Sequence, residues 1–283
     1  RPNSKKEVNY IAKLRNNYYE MEANKDLKVA VIGLDALNYI YLNKMLESHE
    51  IPILSSIFYH KNTIKLIIDA FPPYTMPSWT SIMTGVNPGK HGIFAFVAIN
   101  RSNWSQKLNT TIDLEHPRVH EMLSLNNIET IMINPIPWFP IIPVKKAYII
   151  SHDFFTPRTF YYPRSLSKFV KGMYLPKSSR NLNEYIQLML SYETLVDEII
   201  DLLDWKLFWM TLHVPDGYLH ILPNLLLDSV KSFERKIFRS INRIMRKIYE
   251  NTDVIFIVSD HGFSLYNKIR YLTSTIYSID LAM

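Results

Sequence analysis

The sequence predicts an α/β fold with a mainly parallel central sheet and helices on both of its faces. Two patterns carry this reading. Short, continuous, β-branched apolar runs recur along the chain, as buried parallel strands require, and amphipathic stretches of helical length separate them. A third observation bears on function: acidic residues stand directly after several of these runs, where open α/β sheets collect their chemistry.

The elements follow in order. Residues 1–26 are polar and basic and are expected to form an arm ahead of one large domain, 27–283. The run from Lys28 to Leu34 reads as the first strand and ends at Asp35. Similar runs over 129–133, 206–212 and 253–258 predict three more strands. Asn134 follows the second run, His213 to His220 the third, and Asp260 with His261 the fourth. Helices are predicted over 37–48, 77–84, 116–125, 183–203 and 228–249. The Pro- and aromatic-rich stretch 134–163 lacks clean periodicity and reads as an ordered excursion over the site, although 147–151 is strand-like. Trp79, Trp138, Trp205 and Trp209 are expected to pack in the core or over the site.

Composition narrows the chemistry. The 283 residues include no cysteine, which removes disulfides, thiolate zinc sites, iron–sulfur clusters and thiol nucleophiles together. No apolar run approaches the ~18 residues that would span a bilayer. The start, Arg1-Pro2-Asn3-Ser4-Lys5-Lys6, has neither an initiator Met nor a signal peptide's apolar core, so a cytoplasmic chain and a fragment of a longer one are expected. Between Lys231 and Glu250, seven basic residues face two acidic ones, while Phe233, Ile237, Ile241, Ile244 and Ile248 recur at helical spacing. That pattern is an amphipathic helix whose basic side is read as a solvated face, with no nucleic-acid or membrane partner indicated. No aromatic residue interleaves the basic positions on that face, as a strand-binding groove would need.

The candidate site draws on widely separated residues. Asp35, the pair Asp216 and His220, and the adjacent Asp260 and His261 offer carboxylate oxygens and imidazole nitrogens, a donor set suited to Zn²⁺, with Mn²⁺ or Fe as alternatives. Each element alone is as well explained by a turn or a helix cap. Together, at the ends of strands expected to share one sheet, they point to a metal centre. The remaining element is Pro72-Pro73-Tyr74-Thr75-Met76-Pro77-Ser78-Trp79-Thr80-Ser81. Pro77 marks a helix start, and Thr75 just ahead of it would lie at the positive end of that helix, where a phosphate is favoured. A metal-bound hydroxyl loses its proton easily, which can make a threonine a nucleophile; by itself, Thr75 reads as a simple cap.

This constellation resembles the alkaline phosphatase superfamily in its type I phosphodiesterase/nucleotide pyrophosphatase branch. The resemblance runs from about Lys28 to Gly262 through Gly-Leu-Asp35, the Thr75 segment, Thr84-Gly-Val-Asn-Pro-Gly-Lys-His-Gly-Ile93, Asp216-x-x-x-His220 and Ser-Asp260-His261-Gly262. It implies an alkaline phosphatase-like domain over 27–283 and two divalent ions. Asp35, Thr75, Asp260 and His261 would hold one ion, and Asp216 and His220 the other. It further implies that Thr75 attacks phosphorus in a small phosphodiester or phosphate monoester, forming a phospho-threonine that water then hydrolyses.

Two departures stand out. The family's second ion takes a further His well beyond the Ser-Asp-His-Gly motif, yet all nine histidines lie at or before it, which again favours a truncated chain. The phosphate-contacting Asn of nucleotide pyrophosphatases is Phe96 here, so phosphate contact is expected from the Thr75 backbone or from Lys90. Sulfatase chemistry is excluded, because a threonine cannot yield the formylglycine aldehyde. A phosphotransferase or mutase on the same site, or a non-catalytic metal- or anion-binding homologue, are the alternatives. His91 is read as a turn residue and the His152-Asp153 pair as a chance mimic of a ligand pair. Of the seven glycines, all but Gly172 fall in or beside these motifs.

Overall fold

A computed structural model of the chain describes residues 27–67, 71–100, 102–152, 158–174 and 181–266. The arm expected over 1–26 lies outside them. The first strand, β1 (Val29–Leu34), leads into α1 (Tyr39–Glu47) and α2 (Pro52–Tyr59), followed by α3 (Thr75–Thr84) and the short α4 (Pro88–His91). A small hairpin, β2 (Val97–Ile99) and β3 (Gln106–Leu108), precedes α5 (Val119–Leu125), β4 (Thr130–Ile133), β5 (Ala147–His152) and β6 (Thr159–Tyr162). Then come α6 (Ser167–Val170), α7 (Leu182–Ile199), β7 (Leu207–Leu212), α8 (Asp216–Leu219), α9 (Ser232–Tyr249) and β8 (Val254–Val258).

The main sheet has the order β6-β5-β4-β7-β1-β8. Pairing is parallel from β5 through β8, and β6 closes one edge antiparallel to β5. The expected mainly parallel sheet is therefore present. Its strands alternate between two cores with the period of two that a pleated strand imposes. Ala30, Ile32 and Leu34 of β1 and Phe208, Met210 and Leu212 of β7 face α1, α7 and α9. Val31, Met132 and Trp209 face the other way, against Met76, Trp79 and Met83 of α3 and against Trp138. All four expected tryptophans are buried in these cores.

The excursion expected over 134–163 needs correction: it contributes β5 and β6 to the sheet itself. The strand-like run 147–151 is β5, and only the four-residue β6, flanked by Pro157 and Pro163, went unread. The helix expected from Pro77 begins two residues earlier, at Thr75, and α2 and the β2–β3 hairpin went unforeseen.

Four of the basic residues on α9 are paired within the chain, while Lys236 and Arg246 are exposed. Arg235 and Arg239 reach Glu50, Arg243 reaches Glu193, and Lys247 reaches Asp201. Its other face buries Ile237, Phe238, Ile241, Ile244, Met245 and Ile248. Among the described residues, no helix is long and apolar enough to cross a membrane.

One contact sets α3 on the sheet. A Cβ at Gly33 would collide with Cη2 of Trp79 and stand 2.8 Å from its Cζ3, so only glycine lets that indole lie flat on β1. The consequence is positional: the start of α3 comes to rest beside the carboxyl end of β1, where Asp35 stands.

Candidate metal centre and nucleophile

The carboxyl ends of β1, β7 and β8 meet the amino end of α3. Asp35, directly after β1, is buried at 1 % exposure. The backbone then turns left-handed at Ala36, with φ 58°, which directs the Ala36 N–H to Asp260 Oδ1 at 3.2 Å. A left-handed alanine is costly, and residues held so cluster at functional sites. Ser259 ties the same two loops, accepting from the Leu37 N–H and donating to the His261 carbonyl, each at 2.9 Å. The backbone N–H of Asp216 donates to the Asp35 carbonyl at 3.2 Å, which brings the loop after β7 to the same point.

His261 organises the centre. Its Nδ1 lies 2.9 Å from the Gly262 carbonyl oxygen, which can only accept, so Nδ1 carries the proton and Nε2 presents a lone pair. That lone pair faces Thr75 Oγ1 at 2.9 Å, Asp260 Oδ2 at 3.2 Å and Asp35 Oδ1 at 3.6 Å. The threonine hydroxyl donates to it. The facing oxygens of Asp35 and Asp260 are both buried, and the two carboxyls also interact with each other.

Ligand atoms of Asp35, Asp216 and His261 all lie within 4.8 Å of one another. Ionised together, these oxygens and the imidazole lone pair would repel, a repulsion that a retained proton or a divalent cation relieves. The donor set is the oxygen and nitrogen mix that Zn²⁺ accepts. The residues present therefore fit a metal ion. Burial, reinforced by the neighbouring Asp216 charge, pushes the Asp35 carboxyl well above its usual range, and burial with the Asp35 charge does the same to Asp260.

Thr75 is the first residue of α3, and Tyr74 stands at the cap position without a side-chain cap. The simple-cap reading of Thr75 is thereby replaced: its hydroxyl is engaged by His261 across the site. The backbone N–H groups of Thr75 and Met76 open the helix, at its positive end. Asp216 begins α8, and its Oδ1 is 3.3 Å from His220 Nε2 four residues on. The His220 side chain is 69 % exposed and meets the Phe263 ring edge-on at 5.2 Å, so it stands at the rim.

Other expected residues fall outside the cluster. Lys90 is exposed on α4, and among the described residues no hydrogen bond or ion pair joins its side chain to Thr75. His91 is buried as a strut: its Nδ1 accepts from the Ile93 N–H at 3.1 Å and its Nε2 faces Ser81 Oγ at 2.9 Å. Burial, with His116 nearby, lowers its pKa to about 4, so it is neutral. Phe96 packs edge-on to Tyr74 at 5.2 Å and against Trp138 at 6.2 Å, giving an aromatic wall next to the Thr75 segment. Asp153 lies outside the described residues, while His152 is hydrogen-bonded to Tyr192.

One residue with a place in the site had no role in the sequence reading. His213, the first residue after β7, sets Nδ1 3.0 Å from Asp35 Oδ2. Burial drives its pKa down to about 3, against the pull of Asp216, so the ring is neutral with its proton on Nδ1. Its position at a strand end was the signal available; nothing in the spacing said which way it pointed.

A parallel sheet with a carboxylate and imidazole cluster at its carboxyl edge places the molecule among the alkaline phosphatase-like α/β proteins. The chain belongs to the type I phosphodiesterase / nucleotide pyrophosphatase family, which it matches over residues 29–278. Among solved structures it is similar to phosphonoacetate hydrolase from Sinorhizobium meliloti 1021 in complex with phosphonoformate, with a TM-score of 0.65, 15 % identity, and coverage of 84 % of this chain and 57 % of that one. Murine ectonucleotide pyrophosphatase / phosphodiesterase 5, an inactive variant in complex with AMP, gives 0.55, 14 %, 83 % and 57 %. The alkaline phosphatase PafA, in a mutant form, gives 0.55, 12 %, 86 % and 64 %. The chain thus spans less than two thirds of the length of each. No curated protein matches it by sequence.

Proposed function

We propose that the protein hydrolyses a small phosphate ester, a phosphodiester or monoester, through Thr75 as nucleophile at a centre of divalent ions. One observation carries the reading: the Thr75 hydroxyl lies 2.9 Å from Nε2 of His261, itself ringed by Asp35 and Asp260, although these residues come from distant parts of the chain. Asp35, Thr75, Asp260 and His261 would hold one ion, and Asp216 with His220 a second, zinc being the ion this donor set suits best. Bound there, such ions would act as Lewis acids toward the phosphoryl group and ease deprotonation of the threonine hydroxyl.

The chain's own residues supply the rest. His261 Nε2 lies 2.9 Å from Thr75 Oγ1, which sets the threonine oxygen beside the ion that both residues would hold. The N–H groups of Thr75 and Met76, at the start of α3, would orient a non-bridging phosphoryl oxygen. Thr75 Oγ1 bonds to phosphorus as the bond to the leaving oxygen breaks, and water later cleaves the phospho-threonine. Phe96 offers a ring and no donor, so the wall it forms with Tyr74 and Trp138 would pack against the ester substituent and keep water out. Membership of the type I phosphodiesterase / nucleotide pyrophosphatase family supports this reading.

Thr75→Ala tests it. Turnover of a chromogenic phosphodiester is expected to fall by at least about 1,000-fold, since nucleophilic catalysis is lost outright. Metal uptake should weaken only modestly, because the other ligands remain. Activity within a few-fold of the native protein would rule the mechanism out.

A further inference from the structure

The two buried carboxylates of the centre share one arrangement. Asp260 has Oδ1 held by the Ala36 N–H, leaving Oδ2 toward His261. Asp35 has Oδ2 held by His213 Nδ1, leaving Oδ1 toward His261. In both, one oxygen is anchored by a donor while the other faces His261, and the Asp35 carboxyl is also hydrogen-bonded by the Trp79 side chain. For Asp260 the anchor is backbone, already fixed by the fold. For Asp35 the anchor is a side chain, which something else must orient.

The structure shows what does. His213 lies edge-to-face with His152, ring centres 6.1 Å apart and planes at 82°. Asn134, left-handed at the end of β4 with φ 53°, donates from Nδ2 to the Thr211 carbonyl at 3.1 Å and to the Tyr192 hydroxyl at 2.7 Å. Its Oδ1 accepts from the His152 N–H at 3.2 Å, which settles the amide's orientation. Having accepted from Asn134, the Tyr192 hydroxyl donates to His152 Nδ1, at 2.6 Å. Asn134, His152, Tyr192 and Thr211 are all buried. This network joins the carboxyl ends of β4, β5 and β7 to α7, and it holds the His152 ring in one orientation against His213.

We propose that His213 is a positioning residue for the metal centre: it anchors one oxygen of Asp35 so that the other faces the ion, and the Asn134–Tyr192–His152 network holds it in that role. The proposal rests on the metal-centre reading above. Outer hydrogen bonds to a ligating group typically change metal affinity by about 10–100-fold, which sets the effect to look for.

The experiment is a zinc titration of the metal-stripped chain against a chelating chromophore, with thermal melting of each variant as the check on folding. His213→Leu is expected to weaken zinc binding by about 10–100-fold. His213→Asn should restore it to within a few-fold, because an asparagine amide nitrogen can occupy the place of Nδ1. Tyr192→Phe should give a smaller loss, and in the His213→Leu background it should add nothing, as expected of residues acting through one another. Native zinc affinity in folded His213→Leu would overturn the proposal. So would an Asn variant as weak as the Leu variant, or a Tyr192 effect that is fully additive. If His213→Leu fails to fold, a folded Asn variant weaker than the native chain by about ten-fold or more, or native zinc affinity in Tyr192→Phe, would overturn the proposal. A native chain that takes up no zinc would overturn the metal-centre reading, and this proposal with it; a native chain that binds zinc while Thr75→Ala stays active would remove only the threonine mechanism.

Discussion

His261 illustrates how a single residue's surroundings decide its chemistry. A carbonyl on Nδ1 forces the lone pair onto Nε2, and the fold then turns that lone pair toward Thr75 and two buried carboxylates. Asp35 and Asp260 bear the electrostatic cost of that crowding, and its sign yields a prediction. Both have pKa values raised by folding, so between the usual carboxylate value of 3.8 and their raised values the native state holds more protons than the unfolded chain. The metal-free protein should therefore be favoured by these groups at low pH and lose that contribution as pH rises above about 4. Melting temperatures of the chelator-treated chain across pH 5 to 8, compared with Asp35→Asn, should show the native decline and a flatter profile for the variant. Zinc at pH 8 should reverse the loss, since the ion binds the deprotonated carboxylates, and an unchanged melting point on adding zinc would contradict the site.

At the scale of elements, the strand and the helix that meet at Gly33 decide whether the centre assembles. Trp79 lies so close over Gly33 that a methyl group there has no room. Gly33→Ala should cost roughly 1–3 kcal/mol, the usual range for overpacking a filled core. Activity should fall further than stability does, because Thr75 is carried on the displaced helix. Trp79→Phe in the same chain removes the atoms that clash and should recover part of both, as denaturant unfolding and turnover would show. The far end of α3 is closed by Gly85, left-handed at φ 71°, and by the neutral His91 strut to Ser81. Both ends of this helix are thus fixed by residues from separate motifs, the near end by Gly33 and Trp79 and the far end by Gly85, Ser81 and His91.

Over the whole molecule, the buried strands were legible because a continuous apolar run is a local property, whereas the alternation that sends their side chains into two cores appeared only in the fold. The basic helix was legible too, and pairing with Glu50, Glu193 and Asp201 takes up four of its basic residues. A buried pairing of greater consequence was not. Lys44 of α1 meets Glu234 of α9 at 2.7 Å, with the Tyr41 hydroxyl on the same carboxylate and Tyr218 of α8 beyond it, at 2.9 Å from Tyr41. This cluster ties α1, α8 and α9 together beneath Asp216. Glu234→Leu strands the Lys44 charge and should destabilise the fold by about 3–5 kcal/mol. Adding Lys44→Met should return most of that, a double-mutant result that denaturant melts can check.

The sequence by itself determined the α/β class, the strands that end in Asp35, Asp216 and Asp260, and the helix that begins near Thr75. Each follows from short-range periodicity and from residues whose chemistry shows in their type. Only the tertiary structure decided which atoms face one another: the helix begins at Thr75 with its hydroxyl on His261, His220 stands at the rim, and His213 anchors Asp35. It also placed β5 and β6 in the sheet, the second a four-residue strand between Pro157 and Pro163 that went unread. The physical reason is the same throughout. Local pattern fixes where a strand or helix runs, whereas the direction of a buried side chain depends on partners more than a hundred residues away.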